Sequence, residues 1–273
     1  MSADGSLFQF GTARAKRAQS GLVTDSTSDT VPSGKGETVE VDTRSIRFRR
    51  MRYNVIASAN WLNVEATRGG FRCDPIFITL TYAEVGAQTA RDISGFVKRL
   101  REYLRRRGEK LRAVWVAELQ ERGALHYHMI VWLPKGWKLP KPDERGWWTH
   151  GFSNIKRSHR PVGYLANYAG KLKGKGLDGG FAFPKGFRMF APVGLDREDR
   201  LKRAWANLPG WLRDHMTPDD RAKRIQGGGW VSRLTHDYFP SIWKVGAIVK
   251  TGGGAFIQLV PALPEGVQLC SPW

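Results

Sequence analysis

Hydrophobic positions recur along this chain with two different periods, and the changes of period mark its elements. From Ser45 to about Glu65, Ile46, Met51, Val55 and Leu62 follow helical spacing, with Arg44, Arg47, Arg49, Arg50 and Arg52 crowding the first part. After a Thr-Arg-Gly-Gly turn, residues 76–82 read Ile-Phe-Ile-Thr-Leu-Thr-Tyr, which predicts a strand. Its alternation puts Phe77, Thr79 and Thr81 on one face and Ile76, Ile78, Leu80 and Tyr82 on the other. Residues 89–107 carry the clearest amphipathic helix. Its apolar stripe is Ile93, Phe96, Val97, Leu100 and Leu104, with Thr89 expected as its cap, Asp92 three residues later and Gly108 as its stop. The Arg and Lys residues on its other face are either a solvated surface or a phosphate contact.

Two more strands are expected, 111–120 and 125–133, joined by a short turn containing Arg122 and Gly123. A loop rich in Pro, Lys and Trp runs from Pro134 to about His150, and a short strand is expected over 151–156. Pro161 opens a helix that reaches about Leu172, in the position where its missing N–H costs nothing. Further on come helical patterns near 196–215 and 217–226, then strands over 241–250 and 255–260. This succession predicts an α+β fold with a central antiparallel sheet. Three regions are expected. Residues 1–43 read as a flexible polar tail with a basic patch from Arg14 to Arg17, because Ser, Thr and Gly dominate and little can be buried. Residues 44–195 hold the main domain, and 196–273 a helical and β-hairpin extension that completes it or adds DNA binding.

Charge sharpens the picture. Lys and Arg number 44 against 25 Asp and Glu, a formal net charge of +19. Such a balance favours a polyanionic partner, nucleic acid first. The chain has no apolar run long enough for a membrane helix and no secretory leader pattern at Met1. Its two cysteines, Cys73 and Cys270, fit a reducing cytoplasm better than a disulfide framework. No Gly-x-x-x-x-Gly-Lys-Ser/Thr element is present, so no fused helicase is visible.

Two clusters carry candidate chemistry. His126 and His128 are two apart on a strand, so both imidazoles face one side. If the turn holds residues 122–124, Glu118 faces His128 directly and His126 sits diagonally beside it. One carboxylate and two imidazoles then form an open mixed N/O set suited to a catalytic divalent metal. The plain alternative is a pair of hydrogen-bonded sheet histidines. Glu121 is a rival ligand, placed by this register on the opposite face. In the second cluster, Tyr164, Tyr168 and Lys171 share one helical face at spacings of four and three. The alternative there is two core tyrosines and an exposed lysine. A free phenol has a pKa of about 10, so it attacks a phosphodiester only with help. A lysine ammonium and a metal on the phosphate oxygens supply that help. Trp115 and Trp132 are expected in the core, while Trp137, Trp147 and Trp148 either pack or stack on unpaired bases.

In order along the chain, residues 76–82, the His126-Tyr127-His128 triplet and Gly163 to Lys171 resemble the three motifs of the HUH endonuclease superfamily. The metal motif precedes the tyrosines, as in rolling-circle replication initiators. The paired tyrosines resemble the two-tyrosine, filamentous-phage and plasmid type. The resemblance covers about residues 75–195, including Gly186 to Gly194. It implies an HUH-type sheet with the tyrosine helix packed across it. It also implies Mg²⁺ or Mn²⁺ on His126, His128 and Glu118, and covalent attachment of a tyrosine to a 5′ phosphate with release of a 3′-OH. Tyr-x-x-Lys occurs twice in many such proteins. Here Asn167 replaces the first lysine, so Tyr168, which alone has its Lys171, is the expected initiating nucleophile and Tyr164 the second. The implied partners are single-stranded or hairpin origin DNA with a host helicase and DNA polymerase, in a bacterial cytoplasm. A rolling-circle transposase of the same superfamily, a non-catalytic nucleic-acid binder and a water-using metal hydrolase are the competing readings.

Overall fold

A five-stranded antiparallel sheet organises the protein, as seen in a computed structural model that describes residues 39–68, 72–120, 123–175, 186–226, 228–251 and 254–262. In chain order the elements begin with β1 (Val39–Asp42), α1 (Thr43–Thr67), β2 (Cys73–Thr81), α2 (Asp92–Arg105), β3 (Arg112–Leu119) and β4 (Leu125–Pro134). Next come β5 (Ser153–Arg157), α3 (Pro161–Lys175), β6 (Phe190–Val193), α4 (Arg197–Ala206) and α5 (Gly210–Arg213). The chain closes with β7 (Ala222–Arg224), β8 (Trp230–Ser232), β9 (Tyr238–Phe239), β10 (Trp243–Thr251) and β11 (Gly254–Pro261). The main sheet runs β5-β2-β4-β3-β6.

Each face of this sheet buries a separate core, as strand alternation requires. On one face Ile76, Ile78, Leu80 and Tyr82 meet Tyr127, Met129, Val131 and Leu133, and α2 covers them with Ile93, Phe96, Val97, Leu100 and Leu104. On the other, Phe77, Val114, Val116, Ile130 and Trp132 are covered by Met51, Val55, Ala59 and Leu62 of α1 and by Leu165 and Ala169 of α3. The helix stripe and the two strand faces follow the sequence pattern. Tyr127 points into the α2 core, where burial pushes its phenol up to about 12.

Several expectations need correction. Thr89 does not cap α2 with its side chain. Its hydroxyl and its N–H instead both donate to the Asp92 carboxylate, and Arg91 holds the cap position. No helix forms over 217–226: Ala222–Arg224 is a strand in the small β7-β8-β9 sheet. Asp220 ties that sheet together by accepting from the Ser232 hydroxyl at 2.6 Å and the Leu234 N–H at 3.2 Å. Residues 39–42, at the end of the expected tail, form a strand that pairs with β11. The remainder of that tail, including Arg14 to Arg17, lies outside the described residues, as does Cys270. The basic side chains of α2 lie on the outer side of the α2 core, away from the face that carries His126 and His128. Glu102 binds two of them, Arg105 and Arg106, at 2.8 and 2.9 Å. None of the described helices is long and apolar enough to cross a membrane.

Candidate active site

The turn between β3 and β4 sets the register of the site. The Gln120 N–H donates to the Ala124 carbonyl at 2.9 Å, and the Gly123 N–H donates to the Gln120 carbonyl at 2.9 Å. Gly123 has φ +84°, the left-handed conformation that ends a three-residue hairpin loop and that glycine adopts without steric cost. The loop therefore ends at Gly123 rather than Ala124, whose side chain is buried. Glu118 consequently pairs with His126, not with His128, which lies diagonally from it. This shift moves the partner by two residues, so all three side chains keep the same face. Glu121 lies outside the described residues.

On that face the expected ligands converge. One donor atom from each of Glu118, His126 and His128 lies within 4.8 Å of the others. Glu118 Oε2 is 2.7 Å from His128 Nε2. The opposite ring nitrogen, Nδ1, is 3.4 Å from the Thr79 hydroxyl, which orients the imidazole from the neighbouring strand. His128 is 4% exposed, so its orientation is held by packing as well as by these contacts. Two imidazoles and one carboxylate, with a fourth side left open, match what a divalent cation such as Mg²⁺ or Mn²⁺ takes at a catalytic centre.

Helix α3 brings the tyrosines to the same place. It starts at Pro161 and crosses the face so that Leu165 and Ala169 are buried. Tyr164 and Tyr168 each stand one position before a buried residue, so they share a neighbouring stripe of the helix. The Tyr168 ring stacks on His128 with centroids 3.7 Å apart and planes 19° from parallel. Tyr164 is 46% exposed. The side chain of Lys171 lies outside the described residues, although α3 continues through its position.

Phe77 is the residue that sequence reasoning missed. Its ring stacks on His128 at 5.6 Å, on Tyr168 at 5.6 Å, and meets Tyr164 at 5.4 Å. The signal was present: Phe77 shares the strand face of Thr79 and Thr81, and those two pair with His128 and His126. Burial pushes the Tyr168 phenol above its usual range, and Glu118 and Tyr164 add to the effect. A carboxylate close to a phenol opposes its ionisation, so a cation bound by that carboxylate reverses the local electrostatics.

The tryptophans divide. Trp115 and Trp132 are buried as expected. Trp148 is also buried, with its indole N–H donating to the Thr81 carbonyl at 3.0 Å, so it serves the core rather than a base. Trp137 and Trp147 are partly buried against the same core.

A second acidic group, Glu65, Asp196 and Asp199, lies at the base of α4. Glu65 Oε1 is held there by Arg112 at 2.9 Å and Lys110 at 3.1 Å, and Asp196 caps α4 by accepting from the Asp199 N–H at 2.8 Å.

Residues 75–173 match the model of one protein family, a replication-associated protein family of the ORF2 type. The matched span opens at the start of the Phe77 strand face and closes within α3, so it encloses Glu118, His126, His128, Tyr164 and Tyr168. Similarity to this replication-associated family supports a role in replication initiation. No curated protein matches the chain, and no solved structure does.

Proposed function

We propose that this protein is a metal-dependent nickase and strand transferase that cuts single-stranded origin DNA and so starts rolling-circle replication. The observation that carries the reading is the stacking of Tyr168 on His128, 3.7 Å between centroids, beside a Glu118–His126–His128 donor set. A core tyrosine has no reason to meet a metal-type donor set. A pure nucleic-acid binder has no use for that set either. Similarity to the replication-associated family over the segment enclosing these residues supports it further.

Glu118, His126 and His128 would hold Mg²⁺ or Mn²⁺, which when bound supplies Lewis acidity to the non-bridging oxygens of the scissile phosphate. Tyr168 is the initiating nucleophile. Its hydroxyl oxygen forms a bond to phosphorus as the P–O3′ bond breaks, and the phenol proton passes to the departing 3′ oxygen directly or through solvent. The products are a 5′-phosphotyrosyl linkage and a free 3′-OH, which a host polymerase extends while a host helicase unwinds. The ester linkage is exchanged rather than hydrolysed, so resealing needs no nucleotide cofactor. Tyr164, the more exposed of the two, is the second nucleophile, used when the circle is closed. Lys171 stabilises the phenolate.

The test is a covalent adduct. Single-stranded DNA carrying the replicon's origin, with Mn²⁺, is expected to give a protein–DNA band that survives denaturation and disappears on chelation. Tyr168→Phe removes the first adduct and Tyr164→Phe spares it. Binding without an adduct would leave a nucleic-acid-binding protein, and cut DNA with no protein attached would indicate a hydrolase.

A further inference from the structure

The row of residues that crosses the sheet through the donor set extends to an exposed aromatic ring. Glu118 on β3 pairs with His126 on β4, and His126 pairs with Thr81 on β2. The Thr81 N–H then donates at 2.9 Å to the carbonyl of Phe152, just ahead of β5. The chain reaches this position by passing tightly against β2. A Cβ on Gly151 would lie 2.4 Å from the Thr81 carbonyl oxygen and 2.6 Å from the Ala83 nitrogen, so only glycine fits. Ser153 then turns inward, where its hydroxyl donates to Asp143 at 2.5 Å. Alternation leaves Phe152, Asn154 and Lys156 on the face of the donor set, all three exposed. Phe152 is 74% exposed, although it sits two strand spacings, about 10 Å, from His126.

We propose that Phe152 is the base-stacking platform for an unpaired nucleobase adjoining the scissile phosphate, with the DNA strand laid along β5. This rests on the proposed reading of the site, and it names how the single strand is held there. Phe152 forms one wall of a cleft of about 580 Å³ at the end of β2, whose rim carries Glu84, Asp143 and His150. Carboxylates on that rim repel a phosphate, so what enters the cleft is the base. Lys156, two pleats further along β5 and beside Phe77, is the cation that takes the phosphate on the other side. A flat aromatic ring accepts any base, which suits a contact that positions the strand rather than reads its sequence.

The experiment compares two probes, a dT 20-mer and a backbone of the same length made of abasic residues. The wild-type protein is expected to prefer the dT 20-mer. Phe152→Ala weakens dT binding by about tenfold or more while leaving the abasic backbone unchanged, and Phe152→Trp restores the preference. Lys156→Ala weakens both probes alike and lowers the salt dependence of binding. The proposal is overturned if Phe152→Ala binds dT as the wild type does, or if it loses both probes equally. These are binding measurements, so they stand apart from the adduct assay. A wild-type protein that stacks bases but forms no adduct would refute the nickase and keep the platform.

Discussion

Phe77 offers the sharpest test of how the site is held. Its ring is 8% exposed and touches His128, Tyr168 and Tyr164, the three rings on which the chemistry depends. Phe77→Leu keeps the position apolar and similar in volume, so packing alone costs under about 1.5 kcal/mol. The lost ring contacts add about 0.5–1.5 kcal/mol each, although contacts sharing one residue do not sum independently. The expected total is about 2 kcal/mol, which with an m-value of about 2 kcal/mol/M lowers the urea midpoint by about 1 M. The effect on chemistry should exceed what stability explains. Under conditions where the variant is folded, Tyr168 retains His128 on one side but loses its contact with the Phe77 ring. A displacement near 1 Å costs up to about a hundredfold in rate. Single-turnover adduct formation is therefore expected to fall at least tenfold at saturating DNA, with DNA affinity little changed. If the urea midpoint drops and the single-turnover rate does not, Phe77 is only a core residue and the aromatic stack does not position the nucleophile.

Two further outcomes test neighbouring parts of the structure. Glu118→Gln preserves a hydrogen-bonding partner for His128 at their 2.7 Å contact but removes the charge, so Mn²⁺ affinity measured by titration calorimetry should fall at least about tenfold while the fold persists. Unchanged Mn²⁺ affinity would exclude Glu118 as a ligand. Asp199 is 8% exposed, and burial, with Asp196 adding to it, raises its carboxyl above the usual range. A carboxyl raised in the folded state penalises folding above its folded pKa, and the penalty vanishes as pH falls through that pKa toward the unfolded value. Asp199→Asn should therefore gain on the wild type in denaturation midpoint at pH 7, with the gain shrinking toward pH 4. A gap that widens in acid would show that the carboxylate is stabilising.

What the sequence made legible follows from which interactions are local. The stripe of α2 and the alternation of β2 and β4 appear in the chain as period 3.6 and period 2, and the structure buries the same residues. The pair at 126 and 128 and the pair at 164 and 168 are legible for the same reason, since each uses the repeat of its own element. The register between β3 and β4 was not, because it turns on a single backbone dihedral at Gly123, and moving the loop by one residue exchanges which histidine faces Glu118. The difference leaves the site intact because pairing slipped by two residues; a slip of one would have turned Glu118 to the α2 core. Trp148 shows the opposite limit. In a loop rich in Lys and Pro it resembles a surface residue, and only the carbonyl of Thr81, 67 positions away, explains its burial. Phe77 belongs to both cases: its face was readable from alternation, but its role required α3 to lie across it. Local period thus decides which residues share a face, and long-range packing decides which of them meet. For this site the first was sufficient to name the candidate ligands and tyrosines, and the second supplied the ring that holds them together.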